Sequence, residues 1–229
     1  MTAPREDRPE VARRRSDALA PRAGTRDSKG RPAPLVVGIT GASGAAYAVR
    51  LLQLLVRAER PIALIVSAHG LRLLQTEADI ATLADLRLAV GADAWDTHVR
   101  VYDDGDRGAT PASGSAPSAG MVICPCSMGT LAAVAAGASR SLIERAADVA
   151  LKERRPLILV PRETPLSTIH LSNMLRVSRA GAVVLPASPG FYHRPAEIGD
   201  LIDFVVARVL DHCGVAHTVV PRWRGERVD

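Results

Sequence analysis

Short runs of adjacent apolar residues alternate along this chain with segments in which apolar residues recur every three or four positions. The runs are Leu35–Ile39, Ile62–Val66, Met121–Cys124, Leu157–Val160 and Ala182–Leu185, each followed within two residues by glycine, serine or proline. Unbroken apolar runs of this length suit strands of a parallel sheet, because both faces of such a sheet are covered. Val99–Tyr102 predicts one more short strand. Helical spacing predicts helices over Tyr47–Val56, after Ser67, from about Ser127, over Ser141–Glu153, after Pro165 and over Ala196–Leu210. In the last of these, Ile198, Leu201, Ile202, Val205, Val206 and Val209 share one face, and Arg208 lies off that stripe, free to meet a ligand or a partner. Strands alternating with helices imply an α/β fold: a Rossmann-like (flavodoxin-like) three-layer sandwich with a mostly parallel sheet.

Composition narrows the picture without changing it. At 229 residues and 47% hydrophobic, the chain suits one domain with a sizeable core. The net charge of +5 could suggest nucleic acid, but residues 1–33 hold nine Arg or Lys against five Asp or Glu, leaving 20 against 19 in the rest. The basic excess therefore sits on an Arg/Pro-rich segment with little apolar periodicity, read as a disordered tail, ahead of a folded domain over 34–229. No apolar run of signal-peptide length follows Arg13-Arg14-Arg15 before Pro34, which points to the cytoplasm. Residues 119–138 are uncharged and long enough to span a bilayer, but Pro125, Gly129 and Gly137 argue for a buried strand turning into a small-residue helix. Cys124, Cys126 and Cys213 offer neither disulfide pairs nor a C-x-x-C metal spacing and read as buried thiols. Residues 103–120 contain thirteen Gly, Ala, Ser or Pro out of eighteen and read as a long surface loop.

The chemistry gathers where strands end. Gly38-Ile39-Thr40-Gly41-Ala42-Ser43-Gly44 lets backbone N–H groups approach an anion at a helix start, or else makes a plain tight turn capped by Ser43. A nicotinamide site could begin with a similar T-G-x-x-x-G turn, but no Tyr here is followed four residues later by Lys. Cys124-Pro125-Cys126-Ser127-Met128-Gly129-Thr130 repeats the logic with two hydroxyls, and Ser67 ends another strand as either a contact or a cap. Arg162 and Glu163 fall at the carboxyl end of Leu157–Val160, where open parallel sheets bind ligands. Tyr192 and His193 follow the last strand, and Lys152 closes a helix whose dipole alone would explain a cation there.

These residues resemble the UbiX/Pad1 family of flavin prenyltransferases over about residues 35–224. The likeness rests on G-A-S-G at 41–44, P-A-S-G at 111–114, C-P-C-S-M-G-T-L at 124–131, I-E-R-A-A-D-V-A-L-K-E-R-R-P at 143–156, P-R-E-T-P at 161–165 and P-G-F-Y-H-R-P at 189–195. The resemblance implies transfer of a dimethylallyl group from dimethylallyl monophosphate to N5 and C6 of reduced FMN, with prenylated FMN passed to UbiD-type decarboxylases of quinone biosynthesis or aromatic-acid decarboxylation. It places Gly41, Ala42, Ser43, Ser67, Ser127, Met128, Gly129, Thr130 and Arg162 on FMN, and Lys152, Glu163, Tyr192 and Arg208 around the prenyl phosphate. It also implies a homo-oligomer, a dodecamer with sites at subunit contacts, where Tyr192 and Arg208 serve a neighbour's flavin and Trp223 reaches towards another subunit. The chain departs from the family ahead of P-A-S-G, where relatives carry Trp and this chain has Asp106-Arg107-Gly108-Ala109-Thr110.

In that scheme Lys152, Arg208 and the Tyr192 hydroxyl stabilise the departing phosphate, and Glu163 donates or accepts a proton. Cations stand where other phosphate chemistry uses a metal, so no metal is expected. Nucleic acid and membrane are not expected partners. Two rivals share parts of the pattern: a flavin-dependent cysteine decarboxylase, whose P-x-M-N-x-x-M-W block is missing here, and a non-catalytic FMN carrier or decarboxylase subunit, which needs no second phosphate site.

Overall fold

The computed structural model describes residues 30–220; residues 1–29, which make up most of the expected tail, and Trp223 lie outside the described residues. Strands β1 (Leu35–Ile39), β2 (Ile62–Val66), β3 (Val99–Tyr102), β4 (Met121–Cys126), β5 (Leu157–Pro161) and β6 (Val183–Val184) form one sheet in the order β3-β2-β1-β4-β5-β6. Every pairing is parallel. The chain order reverses between β1 and β4, which makes the carboxyl ends of those two neighbours the topological switch point, where doubly wound sheets bind ligands.

Helices cover both faces. Those described are α1 (Ala45–Arg57), α2 (Ala68–Ala78), α3 (Leu83–Val90), α4 (Ala92–His98), α5 (Met128–Ala136), α6 (Leu142–Lys152), α7 (Thr168–Arg179) and α8 (Ile198–His212). Alternation along the strands divides the core. Leu35, Val37, Ile39, Val122, Cys124, Ile158 and Val160 pack with α1, α3 and α8, whereas Val36, Met121, Ile123, Leu157 and Leu159 pack with α5 and α6. The uninterrupted apolar runs are thus strands with both faces buried. Helices α3 and α4 were not among the expected elements, although Thr82 and Asp85 form a capping box at the start of α3.

Two expectations need adjustment. Ile198, placed on the apolar stripe of the last helix, is 75% exposed because α8 begins only there, held by Asp200 Oδ2 accepting from the amides of Ala196 and Glu197. Ala33, assigned to the tail, is fully buried.

The loop 103–120 is fastened along the whole length of α6. Asp104 accepts the amides of Leu142 and Ile143 at the start of α6, Arg145 reaches the Ala112 carbonyl, and Arg155 donates to the Gly114 carbonyl just beyond the helix. It carries P-A-S-G down to the amino edge of the sheet, with Pro111 and Ala112 buried against α6. No helix among the described residues is long and apolar enough to cross a membrane.

Candidate active site

Four adjacent strands, β2, β1, β4 and β5, deliver their following residues to one edge of the sheet. These are Ser67, Thr40–Gly44, Ser127–Thr130 and Arg162–Glu163. Close backbone approach draws the first two together: a Cβ on Gly41 would lie 2.5 Å from the His69 Cβ, and one on Gly70 would lie 2.4 Å from the Ile39 carbonyl oxygen. Only glycine allows the first turn of α2 to dock against the β1 loop at that distance.

Ser67 and Ser127 both cap helices. Ser67 Oγ accepts the Gly70 amide, and Ser127 Oγ accepts the Thr130 amide while lying 3.0 Å from the Thr130 hydroxyl. Between Ile123 and Cys126 the register of β4 against β5 slips by one residue, a bulge that re-aims the chain just before Ser127. Beyond that bulge the first turn of α5 presents the amides of Met128 and Gly129, which have no partner within the helix. A Cβ on Gly129 would meet nothing nearer than Ser127 Oγ at 3.9 Å, so the chain's own packing gives no reason for a glycine there.

The β1 loop departs from the sequence reading. Ser43 does not cap α1, whose N-cap is Gly44 without a side-chain bond. The amides of Gly44 and Ala45 donate instead to Glu77 Oε2, at 2.8 and 2.9 Å, and the Ser43 side chain bonds to the same carboxylate. A side chain from the far end of α2 is thus the anion at this helix start. Burial pushes the Glu77 carboxyl up, but the Ala45 and Gly44 amides, Ser43 and the charge of Arg162 together hold it below its ordinary value. Burial also raises the Tyr47 phenol, as does Cys124, against the opposing charge of Arg162. Arg162 therefore lies within electrostatic reach of Glu77 and Tyr47, two residues that sequence reasoning missed. Tyr47 carried a signal only as part of a helix, and nothing local marks Glu77.

The nine residues expected on FMN all lie at this edge. The four expected around the prenyl phosphate do not gather in one protomer. Glu163 stands beside Arg162, with Oε1 accepting the Thr164 amide at 3.0 Å. Lys152 ends α6, which leads into the amino end of β5, so the five residues of that strand put about 15 Å between it and Glu163. Lys152 lies beside Gly114 of P-A-S-G and pairs with Glu153. Tyr192, past β6, packs edge-on against Phe204 of α8, and Arg208 follows Phe204 by one turn on the same helical face. One chain thus holds Lys152 apart from Glu163 and sets Tyr192 against the same stretch of α8 that carries Arg208.

A switch-point cradle of hydroxyls and helix-start amides on an all-parallel sheet is a ligand site of the doubly wound class. The flavoprotein family model matches residues 23–210. The flavin prenyltransferase UbiX of Pseudomonas aeruginosa is 52% identical over 199 residues, covering 84% of this chain and 94% of that protein. The flavin prenyltransferase UbiX of Synechocystis is 44% identical, covering 84% of this chain and 96% of its own. The chain belongs to the flavoprotein family and, within it, to the UbiX flavin prenyltransferases. Among solved structures, AnUbiX (PadA1) in complex with FMN and dimethylallyl pyrophosphate has a TM-score of 0.79 at 41% identity, covering 86% of this chain and all of its own. A dodecameric FMN-dependent UbiX-like decarboxylase from Escherichia coli O157:H7 has a TM-score of 0.76 at 42% identity, covering 84% of this chain and all of its own.

Proposed function

We propose that this chain acts in the cytoplasm and joins the dimethylallyl group of dimethylallyl monophosphate to N5 and C6 of reduced FMN, the product serving a UbiD-type decarboxylase. The observation that carries the reading is the gathering of nine flavin candidates on four neighbouring strand ends, with Glu163 next in the chain to one of them. The donor set suits a flavin phosphate: two hydroxyls and first-turn amides at α5, while the nearby carboxylate of Glu77 is already engaged by Gly44 and Ala45. Reduced FMN, when bound, supplies the nucleophilic N5 and C6.

The chain's own residues handle charge and protons. Lys152, Arg208 and the Tyr192 hydroxyl stabilise negative charge as the allylic phosphate departs. Glu163 Oε1 is held by the Thr164 amide, which leaves Oε2 to give a proton to the leaving oxygen or to take up the one released at ring closure. Because Lys152 stands apart from Glu163, neighbouring protomers complete each site. A dodecamer is the proposed assembly, and the exposed Leu166, Ile169, Leu175 and Phe191 supply apolar surface for its contacts.

Glu163→Gln tests the assignment: FMN stays bound while prenyl transfer falls roughly a hundredfold. Undiminished transfer would remove Glu163 from the chemistry.

A further inference from the structure

The end of α8 reverses the chain so that a histidine with a largely covered side chain meets the acid that holds Arg208. Gly214 takes φ +65° just after the helix; its amide donates to the Asp211 carbonyl and the Val215 amide to the Leu210 carbonyl, a Schellman closure. Val215 then enters the core. Two residues on, the His217 side chain is 7% exposed and its Nε2 lies 3.2 Å from Asp211 Oδ1. The other oxygen, Oδ2, accepts Arg208 Nη1 at 2.8 Å. Arg208, which the sequence places off the apolar stripe and open to a ligand or partner, is 54% exposed and tethered by Asp211.

His217 Nδ1 is buried and has no hydrogen-bond partner among the described residues. A hydrogen on Nδ1 would be an unsatisfied donor, so the arrangement favours the tautomer in which Nε2–H donates to Asp211. That bond holds the carboxylate in place, so Asp211 fixes the position of the guanidinium. One N–H of Arg208 is engaged, and the rest of the fork remains for a phosphate.

We propose that Asp211 and His217 are positioning residues for Arg208, a two-link tether that sets its guanidinium before the prenyl phosphate arrives. The inference rests on the placement of Arg208 at that phosphate. An arginine side chain loses much rotamer freedom when it binds, and a tether removes part of that loss in advance.

The test is steady-state prenylation of reduced FMN by the full chain with dimethylallyl monophosphate as the varied substrate, with FMN affinity and the melting temperature as controls. Arg208→Ala raises KM for the monophosphate. Asp211→Asn raises it about tenfold, with kcat lowered in the same direction as in Arg208→Ala and FMN affinity unchanged, as expected for lost preorganisation of one charged contact. It adds nothing in the Arg208→Ala background. His217→Ala shifts KM in the same direction, and His217→Gln, which keeps a donor, restores it. A raised KM for Arg208→Ala with an unchanged or lowered KM for Asp211→Asn or His217→Ala would overturn the tether. An unchanged KM for Arg208→Ala would instead remove Arg208 from the phosphate, and the tether's purpose with it. Should Asp211→Asn not fold, the two His217 variants decide the matter.

Discussion

Thr40 Oγ1 lies 2.8 Å from the Ser127 amide nitrogen, so a buried hydroxyl ties the end of β1 to the start of α5 across the switch point. The same oxygen donates to the Pro125 carbonyl at 3.0 Å, and Thr40 is only 2% exposed. Thr40→Val leaves the Ser127 amide without that acceptor, at a cost of about 1–3 kcal/mol, and loosens the helix start proposed to hold FMN. Thr40→Ser keeps both bonds. Unfolding curves and FMN titrations of the two variants should separate them: both stability and affinity fall in the first and are largely retained in the second.

Glu77 makes the β1 loop pH-sensitive in a defined direction. Burial raises its pKa, but the amides of Ala45 and Gly44, Ser43 and Arg162 outweigh that, leaving the folded value below the ordinary 4.5. A depressed carboxylate stabilises the fold above its unfolded pKa, and that contribution is lost as pH falls through the folded value. Glu77→Gln should therefore lower the melting temperature near neutrality and flatten its acid-side decline. An unchanged pH profile would show that these amides do not depend on the charge.

The separation of Lys152 from Glu163 makes a prediction about mixed assemblies. Lys152→Ala and Glu163→Gln should each bind FMN and transfer prenyl groups poorly, because neither residue belongs to the proposed flavin cradle. Co-assembled in one oligomer, the two variants should regain activity at sites that draw the intact lysine from one chain and the intact glutamate from another. Absence of recovery, with mixed oligomers verified by mass, would place both residues of a site in a single chain.

Cys124 and Cys126 sit in the core beneath the cradle, and burial pushes the Cys126 thiol up to about 12 and that of Cys124 higher still. Thiolate is the reactive form, so neither should be alkylated at pH 8 in the native protein. Labelling followed by peptide mass mapping checks this. Rapid modification of either without unfolding would contradict the packing described.

The strands and most helices were legible because each buried run is unbroken and ends in a breaker, and because the helices repeat at the right period. The last strand spans only Val183–Val184, although the amides of Leu185 and Ala187 still donate to the Leu159 and Pro161 carbonyls of β5. The flavin candidates were legible for a related reason: strand ends next to small residues converge in any doubly wound sheet. Glu77 was not, because its role comes from the far end of α2 folding back onto α1. Nor was the distance of Lys152 from Glu163, which depends on which end of α6 faces the amino edge. Likewise the Asp211–His217 contact follows from a chain reversal at Gly214 and has no spacing of its own in the sequence.

The most direct measurement mixes the purified protein, without oxygen, with reduced FMN and dimethylallyl monophosphate and reads the mass of the extracted flavin. The account predicts a gain of one C5H8 unit, formed roughly a hundredfold more slowly in Glu163→Gln. Recovery of unchanged FMN from protein shown to bind both ligands would contradict it.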